Sequence, residues 1–130
     1  MYFVVKEIMM QNRIEITEAT LKEDRLILTV QSDEQIQKAK ASGQMLVDSD
    51  HFAFVYILET EESFTYLILG EHTWAPLKEA MNREIPVYLA AEEQTLELIQ
   101  LHQELNYLID NIKDNANYGD MEEKVKSTFL

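Results

Sequence analysis

A chain of 130 residues with 24 acidic and 11 basic side chains, a formal net charge of −13, has the length of one domain. Such a surface repels phosphate backbones and anionic headgroups, which disfavours nucleic-acid binding and peripheral membrane attachment. Cysteine is absent, which excludes disulfide scaffolds, thiolate metal sites and thiol nucleophiles and fits a reducing cytoplasm.

The first nine residues, MYFVVKEIM, are apolar without a basic flank or a cleavage signature, so no signal peptide is predicted. Lys6-Glu7 can be encoded by AAGGAG, a bacterial ribosome-binding sequence, with Met9 and Met10 just beyond it. We therefore expect residues 1–9 to be an N-terminal extension from an upstream start. The alternative is a short strand added at a sheet edge.

Ile14 and Ile16 alternate with polar neighbours, as do Leu26, Leu28 and Val30 after the polar stretch Leu21–Asp24; together they predict a hairpin. Ser32-Asp33 reads as a helix cap, Asp33–Ser42 as a short polar helix with Ile36 and Ala39 inward, and Gly43 as its stop. Met45–Val47 is β-like, and Asp48-Ser49-Asp50 is a turn cluster. The run Phe52–Leu58 is apolar without a break, the mark of a strand covered on both faces, and FTYLILG returns from the polar turn TEES as its hairpin partner. Thr73 caps a predicted helix to about Arg83 whose apolar face is Trp74, Leu77, Ala80 and Met81. Ile85–Leu89 is one more strand, with Pro86 placing it at a start or an edge.

The final third reads as helical. Leu98, Leu101, Leu105, Leu108 and Ile112 form a narrow seam that suits a lid on the core; a homodimer through the Leu98–Ile112 helix is the alternative. Residues 115–119 break the helix, and a last helix presents Met121, Val125 and Phe129. The predicted architecture is α+β in two layers over residues 1–130: a mainly antiparallel sheet of five or six strands with helices packed chiefly on one face.

Chemistry is sparse. Asp48, Asp50 and His51, with Glu71-His72 at the end of the partner strand, gather at one rim of the central hairpin. Carboxylates and imidazoles there are candidate divalent-metal or acid–base groups, against the plainer reading of a self-bonded turn with surface histidines. His102, beside the leucine seam, is read as the partner of a carboxylate one turn away. Nucleophile elbows, phosphate loops and dinucleotide fingerprints are missing, no cofactor is implied, and the pattern points away from an enzyme. Trp74, Tyr107, Asn117 and Tyr118 are candidate contact residues, with core packing (Trp74) and helix capping as the alternatives. The expected role is an interaction or regulatory protein acting through an unidentified protein partner. The alternative is a small-ligand or metal-binding domain using the Asp48 rim.

The phrases NRIEITEATLKEDRLIL, SGQMLVDSDHFAFVYILE, TWAPLKEAMNREIPVYL and NANYGDMEEKVKSTFL together resemble the YjbL-like family of bacilli and related Gram-positive bacteria. The resemblance covers about Asn12 to Leu130, and its members start near the present Met10. It implies a bacterial cytosolic protein and carries over neither an activity nor a catalytic residue.

Overall fold

The computed structural model describes residues 12–31, 33–61 and 63–130, so the expected extension over residues 1–9 lies outside the described residues. The run Phe52–Leu58 is, as expected, an interior strand. The apolar run forms β5 (Ala53–Glu59), flanked by β4 (Lys40–Asp48) and β6 (Phe64–Gly70), both antiparallel to it. The edge strand β1 (Arg13–Glu15) joins β6 in parallel, completing a four-stranded sheet in the order β1-β6-β5-β4.

Among the described residues, the expected single sheet of five or six strands is instead two mixed sheets of four. The second has the order β2-β3-β7-β8, made by β2 (Glu18–Leu21), β3 (Leu26–Thr29), β7 (Val87–Ala90) and β8 (Thr95–Glu97). The hairpin expected between Ile14–Ile16 and Leu26–Val30 is corrected accordingly. Its partner strand for β3 is Glu18–Leu21, while Ile14 pairs with Leu67 in the first sheet. The chain changes sheets at Ile16-Thr17, and Ile14 and Ile16 are both buried. β7 lies between β3 and β8, parallel to one and antiparallel to the other, so it is an interior strand. Pro86 sits just before it, where no ladder donor is lost, and its carbonyl accepts from Leu26 N at 2.9 Å.

The helix expected over Asp33–Ser42 is also corrected. Only a single 3₁₀ turn, Asp33–Gln35, forms there, and β4 has begun by Lys40. Ile36 is still buried. Gly43 is no helix stop. It occupies a β-bulge, with the register shifting between Ala41 and Met45 and φ at +76°, a conformation that side chains resist. A Cβ there would meet the movable tip of Gln100 at 2.5 Å, so backbone strain dominates. Gly43→Ala is expected to cost about 1–3 kcal/mol, read from the urea midpoint.

The described residues form three α-helices: α1 (Trp74–Asn82), α2 (Leu101–Ile112) and α3 (Asp120–Phe129). Trp74, Leu77 and Ala80 of α1, Leu105 and Ile109 of α2, and Met121 and Val125 of α3 point into one continuous core. That core also holds Phe54, Tyr56 and Leu67 of the first sheet and Leu28 and Leu89 of the second. The 3.6-residue spacing of these positions explains why each helix buries one face. The leucine seam is spent on this core: Leu101, Leu105, Ile109 and Ile112 are all buried within the chain, and Leu98 is buried just before α2.

Candidate functional site

The hairpin rim forms as its register dictates. Asp48 stands opposite Ala53, and Ala53 opposite Gly70, so the end of β4 and the end of β6 share one border of the sheet. What meets there is a closed charge cluster. Asp48 is 1% exposed; its Oδ2 accepts from His51 Nδ1 at 2.8 Å and faces Arg13 Nη1 at 3.7 Å. Arg13 also donates through Nε to Glu15 at 2.8 Å. A buried carboxylate needs compensation of this kind, although its Oδ1 makes no hydrogen bond.

The other rim residues turn elsewhere. His72 Nε2 lies 3.2 Å from the Ile16 carbonyl, which can only accept, so Nε2 donates. Glu71 pairs with Lys124 of α3 at 3.3 Å, and Asp50 lies on the 3₁₀ turn Ser49–His51. Among the described residues, no three histidine or acidic side chains converge in a way that could hold a metal ion. The guanidinium beside Asp48 works in the same direction, because it already supplies the positive charge.

The remaining candidates separate by burial. Trp74 is a core residue, 1% exposed, and is removed from the contact surface. Tyr118 is half-buried against the core, and Asn117 closes a capped turn in which its backbone N–H donates to Asn115 Oδ1 at 3.0 Å. Tyr107 is different: it stands 63% exposed on the outer side of α2. Gln103, Asn106, Asp110 and Asn111 are exposed around it, and Asp110 pairs with Lys113 at 3.4 Å. His102, expected to seek a carboxylate, donates instead from Nε2 to the Ile85 carbonyl at 2.6 Å.

Two buried polar contacts escaped the sequence reading. Arg13 reaches Asp48 only because parallel pairing brings the N-terminal strand beside β6, which leaves no local signal. Tyr56 lay inside an apolar run, yet its hydroxyl donates to the Ile99 carbonyl at 2.7 Å and accepts from Gly43 N at 3.2 Å. Burial pushes that hydroxyl up to about 12, with carboxylates at Glu104 and Glu97 adding to the rise and the Gly43 N–H opposing it.

These features define an acidic α+β protein with a packed core, a compensated buried carboxylate and one exposed aromatic on a polar helix face. Among the described residues, no helix is long and apolar enough to cross a membrane. The chain belongs to UPF0738, a family of unknown function, which it matches over residues 14–129. A UPF0738 protein of Bacillus pumilus is 88% identical over 121 residues, covering 93% of this chain and all of the relative. The UPF0738 protein YjbL of Bacillus subtilis is 62% identical over 122 residues, with the same two coverages. A relative from Geobacillus sp. (strain WCH70) is 37% identical over 123 residues, covering 93% of this chain and 99% of its own. No solved structure matches the chain.

Proposed function

We propose that this chain is a non-enzymatic interaction protein that docks a basic protein partner through the outer side of α2. The carrying observation is Tyr107, 63% exposed in the middle of an amide-rich helix face that also carries Asp110, the opposite side being locked into the core. Exposed tyrosines are enriched at recognition surfaces because they offer apolar area and a polar tip at little entropic cost. The net charge of −13 favours a cationic partner and a salt-sensitive encounter.

The test immobilises the chain and its Tyr107→Ala variant and passes a Bacillus lysate over both. The expected result is a stoichiometric basic protein retained by the first, eluted by about 0.5 M salt. The variant is expected to bind it about 30-fold more weakly, the loss of a contact worth about 2 kcal/mol. Equal retention by both, or no stoichiometric partner, sinks the reading. The rim as a ligand or metal site has only the unbonded Asp48 Oδ1 in its favour, and the Arg13 and His51 contacts weigh against it.

A further inference from the structure

α3 packs against both α1 and α2, and where the three helices part they leave a recess of about 250 Å³. α1 lines it with Lys78, Met81 and Asn82, α2 with Asn106 and Asp110, and α3 with Phe129. Met81 and Phe129 are partly buried against the main core, and Phe129 reaches on to Trp74, so the apolar part of the lining is held in place. Lys78 and Asp110 enter from different helices, and Asp110 pairs with Lys113 at 3.4 Å, not with Lys78. That exposed pair contributes little and uses Oδ1, which leaves Oδ2 for another donor.

Each simpler guest is opposed by one of these groups. An anion drawn to Lys78 meets the Asp110 carboxylate, and a cation drawn to Asp110 meets the Lys78 ammonium. A purely apolar guest would take both charges out of water without a partner. A guest carrying both signs a few bonds apart satisfies the two together. We propose that the recess binds a free α-amino acid with an aliphatic side chain, its ammonium on Asp110, its carboxylate on Lys78 and its side chain against Met81 and Phe129. The amides of Asn82 and Asn106 complete the polar lining, and a volume below the roughly 300–1,000 Å³ of drug-sized sites suits so small a molecule.

The full chain is titrated with L-leucine and followed by ¹H–¹⁵N NMR. The expected result is saturable shifts at the backbone amides of Met81, Asn82, Asn106 and Asp110, with a Kd of about 1 mM, the range open to so few atoms. N-acetyl-leucine, which lacks the ammonium, and leucinamide, which lacks the carboxylate, are each expected to bind about tenfold more weakly. Asp110→Asn should close the gap between leucine and N-acetyl-leucine, and Lys78→Gln the gap between leucine and leucinamide. Asp110 is exposed and Lys78 partly so, and both variants are expected to keep the fold. Absence of saturation, shifts centred elsewhere, or equal binding of the three compounds would each overturn the proposal; the last would mean a merely apolar recess. The titration uses no protein partner, so its outcome is separate from that of the Tyr107 surface, which shares Asn106 and Asp110.

Discussion

Replacing Trp74 by alanine is expected to cost about 3–5 kcal/mol of folding stability, measured by urea denaturation. The indole is the joint of four elements. It stands at the start of α1, 1% exposed, with ring centroids 5.4 Å from Phe54 of β5 and 5.7 Å from Phe129 of α3. Phe54 and Phe129 close the triangle edge-to-face at 6.0 Å. Nε1 donates to the Leu69 carbonyl of β6 at 3.1 Å. Alanine removes the volume, both aromatic pairs (about 0.5–1.5 kcal/mol each) and that carbonyl's partner. Since a domain of this size holds only about 5–15 kcal/mol in all, the variant should sit near its unfolding threshold. Trp74→Phe keeps most of the packing and loses the hydrogen bond, so it is expected to fall between the two. A loss below about 1 kcal/mol for alanine would mean that the triangle contributes no more than ordinary surface contacts.

The second large effect concerns Tyr56 and carries a pH signature. Tyr56→Phe leaves the Ile99 carbonyl and the Gly43 N–H without a partner inside the protein, at about 1–3 kcal/mol. In the parent chain the hydroxyl is held protonated up to about 12, chiefly because burial disfavours the phenolate, whereas the unfolded chain releases this proton near 10. The folded state therefore binds more protons between those limits. The contribution is fully present below about 10 and is lost as pH rises through about 12, roughly 3 kcal/mol in total. Urea melts at about pH 9 and about pH 11.5 should show the parent losing more stability than Tyr56→Phe, because the phenylalanine chain lacks this titration. Parallel losses in both chains would place the alkaline sensitivity elsewhere.

Legibility followed the physics of each segment. The run Phe52–Leu58 announced an interior strand because both of its faces are covered, and Leu26, Leu28 and Val30 alternated because only one face of β3 meets the core. The division into two sheets was not readable. Ile14, Ile16 and the strand after them keep one period whichever sheet they join, and the partner of Ile14, Leu67, lies more than fifty residues away. Lys40–Ser42 read as the end of a helix because its polar composition is indifferent to a strand, and the bulge at Gly43 looked like a stop. β8, three residues with polar ends, fell below any periodic signal. At the rim, the Asp48–His51 contact follows from their i, i+3 spacing, whereas Arg13 required the tertiary pairing. Tyr107 stood out only in that its helix neighbours are polar, and Trp74, which the apolar helix face already suited to the core, is fixed there by its burial.

Both sheets are completed by parallel ladders between distant segments: Arg13–Glu15 with Phe64–Gly70, and Leu26–Thr29 with Val87–Ala90. A nascent chain made from the N-terminus can zip the ribbons of β2 and β3 and of β4, β5 and β6 as they emerge, but β1 must wait for β6, and β3 for its second partner β7. Phe129 of the Trp74 triangle is made some fifty-five residues after the indole it packs against. The aromatic core is thus closed late, and a product stopped short of Phe129 would leave the ribosome with that seal missing.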